Sequence, residues 1–359
     1  MSLSKYFRVK YIHAVRFSKV LKKEFEMKIN LPFSTRVRMW MNGFWSVSYF
    51  RYDFKKYGMK AYISDYQDNM RWSLLDSVEK AELDIYLDNK LLFQKCIDNI
   101  ANTPKHYCLI IEREIISMEP GFTDTIEGII AFIRNNDMML KPLGGMWGYG
   151  IYLLKFRDGN FMVDEKVIAE NALKEFIISK TNCALCDRVK QSSITGHFND
   201  STLNTIRVLS LIDPVSNMPF IAGAVQRIGT ANSFPVDNFH RGGIAANVDL
   251  NTGTYSNAAS IFPVKDKLTW LDIHPETGVA IKGFVNSKWP EIEKVILGLA
   301  KKFSFHRIIA WDVALNEKDE VVIIEGNTGA DPKIHQIHKP LLLDERVKAF
   351  CLHHKIIKK

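Results

Sequence analysis

The strongest constraint on this chain is a pair of short apolar runs near its C-terminus, each carrying an acid. Trp311-Asp312-Val313-Ala314-Leu315 leads into Asn316-Glu317-Lys318-Asp319 and then Glu320-Val321-Val322-Ile323-Ile324-Glu325-Gly326-Asn327. Polar turn formers between two β-rich runs read as a hairpin. A turn centred on Lys318-Asp319 sets Asp312 directly opposite Glu325, with Asn327 on the same face two residues on. Facing carboxylates on apolar strands repel and are costly to desolvate unless a cation sits between them. Oxygen donors of this kind suit Mg2+ or Mn2+, which complete their shell with water and phosphate oxygens. The alternative is an edge hairpin with both acids solvated, and the Val-Val-Ile-Ile run argues against it.

The other 340 or so residues give that hairpin a globular setting. Of 359 residues, 47% are hydrophobic and 25% charged, which excludes a disordered, collagenous or disulfide-knotted chain. Five cysteines are an odd, sparse set that favours a reducing compartment. There is no apolar run long enough to span a bilayer and no signal-peptide core after Met1, so a cytoplasmic protein is expected. The net charge of +8 is uneven: residues 1–80 hold 16 Lys+Arg against 7 Asp+Glu, and the remainder 32 against 33. Aromatics such as Tyr6, Phe7, Tyr11, Phe17, Trp40, Phe44 and Tyr52 interleave with the basic residues. Such a segment suits an anionic lipid surface, a polyanionic glycan or nucleic acid. The plainer alternative is a helical subdomain with core aromatics and a wet basic face.

Residues 5–27 read as a helix, and Asp88 is a plausible N-cap for another through Asn102. From residue 107 short apolar runs alternate with turns, and helical patterns fall at about 124–135, 165–179 and 286–303. The expected class is α+β: a mixed body behind a mostly helical, basic N-terminal region. A second signal lies between two of its apolar runs, at Lys141-Pro142-Leu143-Gly144-Gly145-Met146-Trp147-Gly148-Tyr149-Gly150. Four glycines in seven residues let backbone N–H groups approach a phosphate, and Lys141 can set an ammonium against it. No Gly-Lys-Ser/Thr is present and no helix follows, so neither a Walker loop nor a dinucleotide fingerprint fits. A glycine-rich hairpin with a surface lysine is the alternative.

In this order, the two signals and the pieces between them resemble the ATP-grasp superfamily, and more narrowly the sugar-transfer-associated ATP-grasp family of cell-surface polysaccharide biosynthesis. The resemblance covers roughly residues 80–340. It implies the ATP-grasp fold, two α+β subdomains gripping ATP, with an N-terminal region at 1–87 and subdomains at 88–182 and 183–359. "DNKLLFQ" resembles the family's early lysine helix, which makes Lys90 the first phosphate-side lysine; Lys141 with Gly144, Gly145, Gly148 and Gly150 resembles the second lysine and its flap. "CALCDRV" resembles the hinge strand over adenine, placing Leu185, Cys186 and Asp187 there, although relatives usually show Glu or Gln at Cys186-Asp187. "STLNTIRVLSL" implies Asn204 and Arg207 facing the cleft, and "AVQRIG" with "VDNFHRGGIAANVDL" implies Arg227, Asn238, His240 and Arg241 near phosphate or substrate. Asp312, Glu325 and Asn327 match the metal triad. Many relatives carry an arginine two residues before the metal aspartate; here that position is Ala310, so the transition-state arginine comes from Arg207 or Arg227.

The activity so implied is an ATP- and Mg2+-dependent carboxylate–amine ligase forming an amide through an acylphosphate. Its substrates would be a small-molecule or glycan-linked carboxylate and an amine; separately, the basic, aromatic residues 1–80 suggest peripheral contact with the anionic inner membrane face, and no nucleic acid partner is expected. Two other readings stand beside it: a kinase of the same fold acting on a hydroxyl, and a non-catalytic basic module for membrane or nucleic acid. Cys183-x-x-Cys186 lacks partners at zinc spacing and reads as strand packing. His335-x-x-His338 reads as C-terminal polar surface, with His335 bordering the site as the other outcome.

Overall fold

The computed structural model describes residues 29–67, 81–144, 150–261 and 267–358, with Ser18, Lys22 and residues 24–26. Most of the expected helix 5–27 lies outside them, as do Gly145 and Gly148. Two seven-stranded antiparallel sheets form the body. The first contains β1 (His106–Ile111), β2 (Glu114–Ser117), β3 (Met138–Pro142), β4 (Tyr152–Arg157), β5 (Asn160–Val163), β6 (Lys166–Ile168) and β7 (Cys183–Asp187), in the order β2-β1-β7-β3-β4-β5-β6. The second contains β8 (Ile206–Ile212), β9 (Pro219–Ile228), β10 (Ile244–Val248), β11 (Tyr255–Ser260), β12 (Thr269–Leu271), β13 (Ile308–Leu315) and β14 (Val321–Asn327), in the order β12-β11-β10-β9-β8-β13-β14.

One face of the first sheet is sealed by helices Ile126–Ile133 and Glu170–Ile178, whose Ile129, Ile133, Leu173 and Ile177 pack on Cys108, Ile110, Leu140 and Leu185. Thr125 starts the earlier helix by accepting from the Gly128 N–H at 3.3 Å, and Ala169 precedes the later one without a side-chain cap. In the second sheet the long helix Trp289–Lys302 lays Ile292, Ile296 and Leu299 against Val208, Trp311 and Ile323. Each such fully buried aliphatic side chain contributes about 1.5–3 kcal/mol.

Two boundaries differ from the sequence reading. The strand 183–187, assigned there to the second subdomain, hydrogen-bonds between β1 and β3 at the heart of the first sheet. Its Cys-Ala-Leu-Cys run, apolar on both faces, suits a central strand. The helix Lys90–Ile97 instead packs Phe93 and Ile97 into the core of the second sheet, with Phe93 6.4 Å from Trp311 between ring centroids. Its N-cap is Asn89, which accepts from the Leu91 and Leu92 N–H groups at 3.1 Å, and not Asp88.

The opposite face of the second sheet is covered in two places. The C-terminal helix Glu345–His353 packs Val347 and Phe350 on Leu209, Leu211 and Ile308. The described N-terminal residues place Met39, Phe44, Tyr52 and Tyr62 on Val225, Ala245 and Ala259, so these aromatics are core. Gln336 pins this segment, its Oε1 accepting from the Ile63 N–H at 2.7 Å and its Nε2 donating to the Ile63 carbonyl at 3.1 Å. The charged cluster of Arg207, Arg227, Asp312 and Glu325 shares this sheet face.

Candidate active site

The hairpin β13–β14 pairs Asp312 with Glu325, as the spacing predicts, but by an unexpected route. Around the turn Leu315 faces Val321 and Val313 faces Ile323, one residue tighter than a turn centred on Lys318-Asp319 requires. A bulge at Ile324 restores the offset, so that Asp312 faces Glu325 and Ala310 faces Asn327. The bulge decides the chemistry. Val321 and Ile323 point into the core, and strict alternation would send Glu325 after them toward Trp311. The extra residue turns Glu325 to the other face, beside Asp312.

Asp312 does not wait for a metal to be neutralised. Across the strand pair, Arg207 donates from Nε and Nη2 to its two oxygens at 2.6 and 2.7 Å. Arg227 Nη2 lies 3.1 Å from the Asp312 Oδ2 and 3.3 Å from Asp237 Oδ1. Thr205 completes the network, donating its N–H and hydroxyl to Asp237 at 2.7 and 2.6 Å. Burial works against the Asp312 charge, but Arg207 and then Arg227 outweigh it and hold the carboxyl low. The Glu325 carboxyl is pushed up, first by burial and then by the charge of Asp312. Asp312 is thus the member of the pair held ionised, and Glu325 is the one whose charge the site disfavours until a cation offsets it.

The donor set fits a hard divalent cation. No cluster of three or more His, Cys, Asp and Glu suited to a metal occurs among the described residues. Two carboxylates and an amide converge here: Asn327 donates from Nδ2 to the Ala310 carbonyl at 3.2 Å and to Glu325 Oε1 at 3.3 Å, which leaves its Oδ1 available. A carboxylate oxygen holding one guanidinium N–H keeps a second lone pair for a cation. Ala310 lies in the apolar cluster under β13, and the guanidiniums beside Asp312 come from β8 and β9.

Lys90 links this cluster to the first sheet. It opens its helix with its N–H 3.5 Å from the carbonyl of Leu143, just before the first glycine of the glycine-rich stretch, and it acts electrostatically on Glu325, His106 and Cys186. On the sheet face away from the helices, Lys141 lies beside the Cys186 thiol, and His106 pairs across to Cys186. His106 is buried and its Nδ1 is 2.7 Å from Gln94 Oε1; burial, then Lys141 and Lys90, push its pKa down to about 4. Neither Lys90 nor Lys141 forms a salt bridge with any described residue; nearby Asp88 acts electrostatically on Lys90. Two half-buried ammoniums without a salt bridge to a described residue are suited to offset phosphate charge.

The remaining expected residues fall as follows. Leu185 buries its side chain in the helix-covered core, so what it offers a ligand is its backbone. Asp187 accepts from the Tyr107 hydroxyl at 2.9 Å. Gly144 is exposed with open space around its Cα, while Gly150 has φ 74° and packs on Pro142. Asn204 is buried and its amide is saturated: it donates to Thr195 and Asn199 carbonyls at 2.9 and 2.8 Å and accepts from Thr202 Oγ1 and the Gly229 N–H. It organises the loop before β8 and has no hydrogen-bonding capacity left for substrate. Asn238 caps the turn Phe239–Arg241 by accepting from the His240 N–H at 2.8 Å, and His240 stands near Asp331 beyond β14. Sequence reasoning missed Thr205 and Asp237, whose only signal was a place inside two of the quoted segments. His335 does border the site: it is buried against Gly223, near Arg207 and Asp312, with neither ring nitrogen hydrogen-bonded to any described residue.

Solved structures similar to the chain include a Chryseobacterium gregarium RiPP-associated ATP-grasp ligase in complex with ADP and a leader and core peptide (14% identity, TM-score 0.43, 79% of this chain and 65% of that one). The D-Ala:D-Ser ligase of Enterococcus faecalis (10%, TM-score 0.40, 73% and 61%) and D-alanyl-alanine synthetase A of Vibrio cholerae (10%, TM-score 0.42, 76% and 66%) are also similar. The chain thus spans less than two thirds of the length of each of the three. No curated protein matches it significantly. The family model described as sugar-transfer associated ATP-grasp matches residues 69–351, and the chain belongs to that family.

Proposed function

We propose that the protein is an ATP- and Mg2+-dependent carboxylate–amine ligase that attaches an amino acid or amine to a sugar acid during surface polysaccharide assembly. The observation that carries this reading is the pairing of opposites across the cleft. Lys90 and Lys141 stand on one side without salt bridges to any described residue, and on the other Asp312 and Glu325 form a buried carboxyl pair whose repulsion a cation would relieve. A nucleotide triphosphate with its cation satisfies both. Asp312, Glu325 and Asn327 would hold Mg2+ or Mn2+, which when bound neutralises phosphate charge and polarises the transferring phosphoryl group. Lys90 and Lys141 orient the phosphates and offset their charge. Arg207 and Arg227 stand where charge develops as a substrate carboxylate takes the γ-phosphoryl group to give an acylphosphate. An amine then displaces phosphate, so the chain needs no nucleophile of its own.

The test is product release over uronic acids and amino acids, alone and paired. ADP and free phosphate appearing only with a carboxylate and an amine together is the expected result. A phosphorylated acceptor in place of free phosphate overturns it in favour of a kinase. Lys141→Ala is expected to raise KM for ATP and cut kcat/KM by roughly 10–100-fold, the loss of one charge-assisted bond of about 1.5–3 kcal/mol; unchanged ATP kinetics would remove the glycine-rich stretch from the phosphate site.

Peripheral docking on an anionic membrane belongs to the same proposal. No helix among the described residues is long and apolar enough to cross a membrane. The basic excess of the first 80 residues and the exposed Phe33 and Met41, 72% and 83% accessible, support surface attachment. Sedimentation with phosphatidylglycerol vesicles, weakened by salt and by Phe33→Ser with Met41→Ser, is expected; equal recovery on neutral vesicles counts against it.

A further inference from the structure

We infer that His106 is a third group on the phosphate side of the nucleotide site and takes up a proton as nucleotide binds, which couples binding to pH; this rests on the nucleotide reading of Lys90 and Lys141 proposed above.

His106 faces the cleft because β1 is bulged. Cys108 pairs with Leu185, and both side chains lie in the core beneath the helices. Simple alternation would send His106, two residues earlier, into the same core. The register instead shifts between His106 and Cys108, and His106 pairs with Cys186 on the other face. A bulge of this kind re-aims a side chain. Here it delivers a buried imidazole to the face that carries Lys141, and the helix Lys90–Ile97 meets it there through Gln94.

Gln94 decides which ring nitrogen takes the proton. An amide oxygen can only accept, so the His106 Nδ1–H donates to Gln94 Oε1, at 2.7 Å. In the neutral ring Nε2 then carries the lone pair, and it hydrogen-bonds to no described residue. Lys90 stands one turn before Gln94 on the same side of the helix. The charged groups that act on the ring are Lys141 on β3 and Lys90 on that helix, both cations. On β7 the facing group is the Cys186 thiol, which burial pushes up and keeps neutral, and Asp187 beside it accepts from the Tyr107 hydroxyl at 2.9 Å. On β1 itself Lys105 is paired with Glu119 at 2.9 Å. Burial and the two lysines hold His106 at about 4, so without nucleotide the ring is uncharged at neutral pH.

Nucleotide phosphates reverse that balance. They offset both ammoniums, and they favour the ring that carries a proton on Nε2 over the one that presents a lone pair there. An opposite charge at close range raises the pKa of an imidazole by roughly one to three pH units. The proton comes from solvent and stays on Nε2 while nucleotide is bound. By reciprocity, a ligand that tightens proton binding is itself bound more tightly as protons become available.

The test is calorimetric titration of ADP into the full chain at saturating magnesium between pH 7.5 and 5.5, in buffers of different ionisation enthalpy, beside His106→Gln. The wild type is expected to take up more protons on binding than the variant. The ratio of its affinity to the variant's is expected to rise by roughly three- to tenfold as pH falls across that range. Protonation of ADP itself is common to both proteins and cancels in the ratio. A readout that needs no variant is the His106 imidazole titration followed by NMR, which ADP is expected to move upward from about 4. A ring that only pins the helix to β1 gives equal pH slopes in the two proteins and an unmoved titration, and that result overturns the coupling. Absence of ADP binding at every pH overturns the nucleotide reading and the coupling with it, so the two failures are told apart.

Discussion

Glu325→Gln is expected to abolish turnover, by two to three orders of magnitude or more, in a protein that folds at least as well as the wild type. The side chain keeps its shape and loses one negative charge from a pair that repels. Asp312 still has both of its arginines, so no buried charge is stranded. What disappears is a ligand charge for the cation at the transferring phosphate, where such stabilisation is largest. The stability sign follows from the raised Glu325 pKa. A carboxyl that ionises later in the native state than in the unfolded one costs stability at neutral pH and nothing in acid, where both states are protonated. The variant should therefore gain on the wild type at pH 7, and the gain should vanish near pH 3. Urea midpoints at the two pH values and ADP release at ordinary magnesium measure both halves. Wild-type turnover would remove Glu325 from the metal set, and a lower midpoint at pH 7 would show that its charge is a structural asset.

Acid should destabilise the protein well before its carboxylates titrate. His106 and His335 are buried at 6% and 3% accessibility, with pKa values depressed by burial to about 4 and about 3. Lys141 and Lys90 add to the depression at His106, and Arg207 adds to it at His335. Between pH 6.5 and pH 4 the unfolded chain takes up protons at these rings and the native chain does not, so stability falls as pH falls. Each ring is worth on the order of 1–2 kcal/mol at pH 5, and the two together are a large fraction of ordinary domain stability. Chemical denaturation at pH 7.5 and pH 5 measures the loss, and the double variant His106→Gln, His335→Gln should shrink it by about 2–4 kcal/mol. An unchanged pH dependence would mean that both rings take up protons in the native state.

Much of the site was legible because its chemistry is written in residue type and strand period. Acids set in apolar strands, a lysine before four glycines, and a polar turn that brings Asp312 and Glu325 to the same level of one hairpin are all local facts of the chain. The family match over residues 69–351 agrees with the resemblance those motifs carried. The α+β class followed from the same alternation of apolar runs and turns.

Tertiary structure decided what local pattern could not reach. Alternation alone would have buried Glu325 beside Trp311, and the bulge at Ile324 turned it back to the charged face. Arg207 and Arg227 come from strands some 85 to 105 residues before Asp312, and only sheet order sets their guanidiniums against its carboxylate. The strand 183–187 and the helix 90–97 each joined the sheet opposite to the one their place in the chain suggested. Asn204 read as a cleft residue, yet the fold consumed all of its hydrogen bonds in a loop. The physical reason is common to all four. Sequence period determines which side of its own strand or helix a residue takes, whereas the partner it meets depends on strand order and on which apolar surfaces bury each other.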